Sequence, residues 1–270
     1  MKAQQVAINL VTLAKAPIDQ LLSACAQAGF HNIEFQLGNL KRWMKESSLS
    51  AADVRKMLDK HGQRCIGGFE THLAVFDEAT MDDNHAMLAA NARLLGDLGG
   101  GVLVVGTDGP PKPNIDALDT VGRMMRRMID LCPSAVSLAV EFNWSPLVKS
   151  LRSALRVVKA ADHPRVGILF DPAHYHCTST KMEDLTAEAV GKILHVHVDD
   201  MADKPGEHSH CNADRRLPLE GILPLKRMLG RIEELGYRGF FSLEMFSEEL
   251  WALPPAQAAG RCHAAMQRLL

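Results

Sequence analysis

Along this chain, short apolar runs alternate with longer stretches whose apolar residues recur every three or four positions. The short runs are six to eight residues long and rich in Val, Ile, Leu and Phe. They fit strands, and the longer stretches fit amphipathic helices. Strands are expected at 5–10, 32–37, 64–69, 101–106, 137–142, 166–171, 193–199 and 239–246. Helices are expected at about 17–29, 50–61, 80–98, 115–131, 146–161, 182–190, 222–235 and 255–269. Ser50 before AADVRKML and Asp116 before ALDTVGRM read as caps. Gly29, Gly62, Gly99 and Gly236 read as helix stops. Eight strand–helix units in 270 residues predict an α/β protein, a closed (β/α)8 TIM barrel forming one domain over 1–270. A doubly wound open sheet is the alternative, but it carries fewer strands at this length. No linker, low-complexity segment or domain break interrupts the pattern.

Side chains alternate faces along a strand. In 166–171, Gly167, Leu169 and Asp171 face one way and Val166, Ile168 and Phe170 the other. In 193–199, His195, His197 and Asp199 oppose Leu194, Val196 and Val198. A face bearing imidazole and carboxylate must meet a cavity, a metal or other polar groups, because an unpaired buried charge is costly. The expected inward positions are small or polar: Ala7, Asn9, Asn32, Glu34, Gln36, Ser137, Ala139, Gly167 and Ser242. The outward ones are Ile, Leu, Val and Phe, suited to a ring of helices.

Barrel sites lie at the C-terminal ends of the strands. There the last inward residues of strands five to eight are Glu141, Asp171, His197 and Glu244. Three carboxylates and one imidazole suit one divalent ion, Mn²⁺, Mg²⁺, Co²⁺ or Zn²⁺. A lone glutamate at a strand end is usually a solvated loop residue. Four ligand-type side chains at matching heights on neighbouring strands are the pattern of a site.

Other residues near these ends carry two readings each. His174 follows Asp171 on the loop leaving strand six and either contacts substrate or supports a ligand. His195 is inward but lower, which suits a hydrogen-bonded core residue or a ligand support. Tyr175 and His176 either line the pocket or do not. Glu34 either bonds a substrate hydroxyl or fills a polar core layer. The long polar segment 201–218 sits over the proposed ion, where Arg215 or Arg216 can reach substrate oxygens. His208, His210 and Cys211 resemble a second metal cluster by composition, though a solvated loop tip is the better reading. Trp144 and Phe246 are expected to line the pocket.

Composition narrows the field. A formal net charge of −2 offers no general attraction to nucleic acid or anionic membrane. No apolar run approaches the roughly 20 residues of a membrane helix. The N-terminal apolar stretch reads as a first strand rather than a signal peptide. Six cysteines without a CxxC pair suggest reduced thiols, and so a cytoplasmic protein. Seven of the twelve histidines lie between 163 and 210, around the expected site. There is no GxxxxGK[ST] phosphate loop, no Rossmann spacing and no GxSxG elbow.

The motifs VEF at 140–142, FDPAHYH at 170–176, HVHVDD at 195–200, DRRLPLEG at 214–221 and SLEMF at 242–246 together resemble the xylose isomerase-like barrel superfamily of sugar isomerases and epimerases. The resemblance spans nearly the whole chain in order. Within the group the motifs look nearest to the inosose (keto-inositol) isomerases, with ketose 3-epimerases and hydroxypyruvate isomerase as relatives. The resemblance implies that Glu141, Asp171, His197 and Glu244 hold one divalent metal, that His174 and Arg215 contact substrate, and that Glu141 and Glu244 move protons. One departure stands out: relatives commonly carry a Pro-Gly pair where this chain has Pro218-Leu219, which leaves the local turn, and Arg215 against Arg216, open. The more distant endonuclease IV needs a DNA-binding face that the charge balance does not support.

The expected activity is therefore isomerisation or epimerisation of a keto-sugar or keto-inositol through a metal-stabilised enediolate. Two alternatives use the same frame: a metal-dependent dehydratase or lyase on a related polyol acid, and a non-catalytic sugar-binding barrel. The expected partner is a small sugar or polyol, without nucleic acid or membrane, and a homo-oligomer stays open.

Overall fold

The computed structural model describes residues 1–13, 16–209 and 212–270. In chain order its strands are β1 (Val6–Asn9), β2 (Asn32–Gln36), β3 (Arg64–Leu73), β4 (Val102–Thr107), β5 (Ser137–Glu141), β6 (Val166–Phe170), β7 (Ile193–Val198), β8 (Asp200–Met201), β9 (Arg215–Arg216) and β10 (Phe241–Leu243). Eight of them close into a barrel in the order β1-β10-β7-β6-β5-β4-β3-β2, and β8 with β9 forms a separate two-stranded sheet. Every pairing around the barrel is parallel. The helices are α1 (Ile18–Ala28), α2 (Leu37–Glu46), α3 (Ala51–Lys60), α4 (Met81–Leu98), α5 (Ile115–Asp130), α6 (Leu151–Ala161), α7 (Pro172–Cys177), α8 (Ala187–Val190), α9 (Leu225–Glu234), α10 (Glu248–Trp251) and α11 (Pro255–Gln267). None of the described helices is long and apolar enough to cross a membrane.

The outward strand residues form one continuous core with the helices, including Ile8, Ile33, Phe35, Leu103, Leu138, Ile168, Val196 and Phe241. Inside the barrel a smaller apolar group, Val104, Ala139 and Leu169, is flanked by Phe69, Val102 and Leu194. It fills the side formed by β3 to β6. The opposite side holds buried polar residues: Asn9, Glu34, His195, His197 and Ser242.

The local signals act as their chemistry requires. Ser50 caps α3 in a reciprocal box with Asp53. Gly29 ends α1 at φ +106°, a conformation that side chains with a Cβ rarely adopt. Other expectations shift. The cap of α5 is Asn114, whose side chain accepts from Ala117 N at 3.0 Å. Asp116 instead lies in the first turn, where a negative charge meets the helix dipole. The expected helix at 146–161 starts only at Leu151, because Ser150 caps it there. β3 runs on to Leu73, and β10 has three residues rather than eight. The helix α2 had no expected counterpart.

One face assignment also changes. The β6–β7 register shifts between Ile168 and Leu169, so Ile193 and His195 pair with consecutive residues of β6. Leu194 falls in that bulge and turns toward the interior, where a Cβ on Gly167 would lie 2.5 Å from Leu194 Cγ. The missing side chain at 167 is what lets Leu194 in.

Candidate metal centre

Four adjacent staves, β10, β7, β6 and β5, deliver the four expected ligands to one end of the barrel. Glu141 ends β5, and Glu244 directly follows β10. Asp171 follows β6 and caps α7, accepting His174 N at 3.1 Å. His197 is the penultimate residue of β7. Its Nδ1 lies 3.5 Å from Glu244 Oε2, 3.8 Å from Asp171 Oδ2 and 3.9 Å from Glu141 Oε1. Yet this buried Nδ1 has no hydrogen-bond partner. Ligand-type atoms of Asp171, His197 and Glu244 lie within 4.8 Å of one another, as do those of Glu141, Asp171 and His174.

The other nitrogen of the same ring is tied down. His197 Nε2 donates to Glu34 Oε1 at 3.1 Å, and His195 Nε2 donates to Glu34 Oε2 at 3.1 Å. Glu34 is wholly buried, with both oxygens spent below the ligand ring. It therefore lies in a polar layer, the second of its two expected readings, and is not among the residues that line the cavity. His195 sits in that layer with it. A carboxylate that orients a ligating imidazole fixes its tautomer and keeps the other nitrogen free for a metal.

Electrostatics follow from burial and crowding. Burial, and then the charges of Asp171 and Glu244, push the Glu141 carboxyl up to about 7. Glu244 is also raised, burial outweighing the pull of His197 and Arg215. Burial would lower His197, but Glu244 and Glu34 hold it well above its ordinary value. Burial would raise Asp171, but the neighbouring Arg215 and His174 keep it well below the usual carboxylate range. Burial brings His174 down to about 4, so its imidazole is neutral at pH 7.

Arg215 reaches the cluster because β8 and β9 pair as a short antiparallel ribbon, Met201 opposite Arg215. The buried Asp200 staples that ribbon, accepting from Met201 N at 2.8 Å, Leu223 N at 2.9 Å and Leu219 N at 3.0 Å. Leu219 itself adopts φ +66°. The Arg215 guanidinium bonds Asp199 closely, Asp171 Oδ2 at 3.1 Å and His174 Nε2 at 3.4 Å. Arg216 points out to solvent and bonds the Ala213 and Arg215 carbonyls at 2.8 Å. Of the two arginines, Arg215 is the one the structure brings in.

Above the cluster opens a cavity of about 340 Å³ lined by Glu141, His197 and Glu244, with Phe69, Glu70, Trp144, His174, Arg215 and Phe246 around it. The Trp144 and His174 rings meet edge to face at 4.9 Å, and the Phe69 and Phe246 rings at 6.4 Å. So Trp144, Phe246, His174 and Arg215 all line this cavity. Tyr175 packs on Phe170, and His176 donates to Lys204 O at 2.9 Å beside a separate cavity. His208 is exposed, while His210 and Cys211 lie outside the described residues, and the second-cluster reading with them.

Two of the residues that serve the site, Asn143 and Glu70, had no expected role, and Asp199, expected only on the polar face of its strand, has a definite one. Asn143 donates to Glu141 Oε2 at 3.0 Å. Asp199 anchors Arg215 and accepts Ala173 N at 3.1 Å. Glu70 enters the cavity from β3. Asp199 lies on the polar face that the alternation of His195 and His197 marks out. Glu70 lies beyond the expected end of its strand.

The residues fit a divalent cation. Each offers one ligand-type atom, the imidazole Nδ1 is buried and unpaired, and the crowded carboxylates outnumber the single Arg215 guanidinium beside them, which favours a further cation.

Comparison with known proteins agrees with the fold. A family model described as "Xylose isomerase-like TIM barrel" matches residues 22–269. Inosose isomerase of Halalkalibacterium halodurans is 31% identical over 128 residues, covering 47% of this chain and 45% of that protein. 3-dehydroshikimate dehydratase of Pseudomonas putida is 29% identical over 127 residues, 43% of this chain and 18% of that protein. The chain thus spans less than half the length of these curated relatives. A crystal structure of the IOLI protein with a bound zinc atom superposes with TM-score 0.87 at 21% identity, covering 98% of this chain and 97% of that one. At that identity the likeness speaks for the fold.

Proposed function

The chain belongs to the xylose isomerase-like TIM barrel family, and from that premise we propose that it is a divalent-metal-dependent isomerase or epimerase of a keto-sugar or keto-inositol. One observation carries the reading: Glu141, Asp171, His197 and Glu244 converge around a buried imidazole nitrogen that has no partner. These four would hold the ion, Mn²⁺, Mg²⁺, Co²⁺ or Zn²⁺. When bound, it supplies a Lewis acid that polarises a carbonyl and makes the adjacent C–H acidic.

The chain's own groups do the rest. Glu141 and Glu244 come from the two ends of the four-stave arc, so they flank a substrate carbon from two sides. Both have raised affinities for a proton, which suits one to remove the proton next to the carbonyl and the other to return it. Arg215, held by Asp171 and Asp199, and the neutral His174, whose Nδ1 is buried and unpaired, offer donors to substrate oxygens. Trp144, Phe69 and Phe246 give apolar walls to the C–H faces of a sugar and keep water away.

The test is solvent exchange. With metal present, a keto-inositol or a ketose in D₂O should take up deuterium next to the carbonyl and isomerise. A chelator should stop both. No exchange across a broad panel of keto-polyols would end the proposal. The dehydratase reading draws on the partial similarity to 3-dehydroshikimate dehydratase. It needs the same proton abstraction plus a leaving hydroxyl, so it differs by loss of water from the product mass.

A further inference from the structure

In the eight-stave ring, β3 stands diametrically opposite β7. There the cavity has a carboxylate that the metal centre does not use. Glu70 Oε2 accepts Lys41 Nζ at 2.6 Å and Asn91 Nδ2 at 2.7 Å. Lys41 also donates to Asn91 Oδ1 at 3.2 Å. Lys41 comes from α2 and Asn91 from α4, so three elements close on one carboxylate. Asn91 is buried and Glu70 is mostly so. Oε1 is left without a hydrogen-bond partner among the described residues. Gly38 keeps space beside it, since a Cβ there would come to 3.2 Å.

The rest of the lining points the same way. Among the described lining residues, Arg215 is the single guanidinium or ammonium group, and Asp171 and Asp199 already hold it. Against it stand three carboxylates, Glu70, Glu141 and Glu244. A divalent ion would be absorbed by its own ligands. No cation is left for a carboxylate or phosphate at the far end of a substrate. An acceptor-only oxygen rejects such anions and takes hydroxyl donors.

Resting on the polyol reading above, we infer that Glu70, clamped by Lys41 and Asn91, sets specificity by accepting a hydroxyl of a neutral polyol at the end of the substrate farthest from the metal centre. The same oxygen turns away polyol acids there.

The experiment compares two probes, a keto-inositol and 3-dehydroshikimate, by calorimetry on the full chain loaded with Mn²⁺. Wild type should bind the keto-inositol about tenfold or more tighter, the scale of one charge-assisted hydrogen bond. Glu70→Gln should weaken the keto-inositol about tenfold and narrow the preference, with KM rising and kcat within about threefold. Lys41→Met leaves Glu70 in place but unclamped, and should lose about threefold by the same measure. It serves as the second variant should Glu70→Gln fold poorly. Metal stoichiometry should be unchanged in both. If the keto-inositol binds with this preference but is neither exchanged nor isomerised, the proposed reaction fails and Glu70's role stands. The inference is overturned if wild type binds the acid as tightly, if neither probe binds, or if both variants bind the keto-inositol as wild type does.

Discussion

His197 stands between two clusters of ligand-type side chains, one on each ring nitrogen. Below it, Glu34 takes both His195 and His197 at 3.1 Å, and both carboxylate oxygens are used. Above it, three carboxylates crowd Nδ1 at 3.5–3.9 Å and none bonds it. The lower cluster is a finished piece of barrel interior. The upper one is not: its carboxylates outnumber the Arg215 guanidinium beside them, and burying charge that way costs stability unless more positive charge joins. The contrast separates support from site without reference to any relative. Saturated polar groups hold geometry; unsaturated ones wait for a ligand.

The largest effect should come from breaking the upper cluster. Glu141→Gln or Glu244→Gln should cut turnover by about a thousandfold or more, the scale of losing a proton-transfer group together with a metal ligand. The metal-free protein should be no less stable, and about 1 kcal/mol more stable is expected, because one of the crowded charges is gone. Chemical denaturation with chelator present, beside a turnover assay, reads both. Breaking the lower cluster should do the reverse. Glu34→Gln cannot accept from both imidazoles, and should cost about 2–4 kcal/mol of folding stability even without metal. It should also weaken metal binding about 10–100-fold through loss of the orienting bond to His197. If the two kinds of variant destabilise the metal-free protein equally, the distinction between the clusters collapses.

Much of this was legible in the chain. The period-2 alternation of His195, His197 and Asp199 needs only strand geometry, and reading the last inward residue of strands five to eight finds all four clustered residues. Fold class follows from eight repeats of one pattern. What stayed hidden depends on long-range contacts. Glu34 could be placed on an inward face but not at a height, because height depends on the stagger between β2 and β7. Leu194 turned inward because Gly167, 27 positions earlier, left room. The helix α2 escaped notice since it follows β2 with no breaker between: Gln36 ends the strand and caps the helix at once, accepting from Asn39 N at 2.6 Å. Glu70 was missed because β3 continues four residues past its expected end at 69, to Leu73.

A third test sharpens the contrast through pH. With Glu141 raised to about 7, its carboxyl holds a proton below that pH, and a metal ion must displace it. Metal affinity should therefore fall as pH drops through 7, by up to about tenfold per unit for each proton displaced, and the proton that the raised His197 imidazole holds extends the fall to higher pH. Loading at pH 6 should release protons, which calorimetry in two buffers of different ionisation heat would count. Glu34 is held well below the ordinary range: burial would raise it, but His197 and His195 pull it down. It stays ionised throughout this window and adds no slope. In Glu141→Gln the slope near pH 7 should become shallower, leaving what His197 and Glu244 contribute. A slope as steep as that of the wild type would assign the proton to those groups rather than to Glu141.

The smallest expected effect concerns how Arg215 is delivered to the upper cluster. Leu219 sits at φ +66° in the turn after β9, a conformation that costs a side chain with a Cβ about 1–2 kcal/mol. What the turn contributes is the Leu219 N–H, which bonds Asp200 Oδ2 at 3.0 Å. The leucine side chain is partly buried against Ala173, Met201, Leu223 and Leu225. Leu219→Gly removes the strain but also that packing, and it gives the unfolded chain about 1 kcal/mol more freedom. These offset, so the melting temperature should move by no more than about 2–4 °C. Turnover should stay within about twofold, because a glycine N–H still reaches Asp200. Asp200→Ala, which removes the acceptor for three backbone donors, should instead cost about 2 kcal/mol or more and raise KM, as Arg215 loses its ribbon. If Leu219→Gly also raises KM severalfold, the apolar contact rather than the Asp200 staple holds Arg215 against the carboxylates.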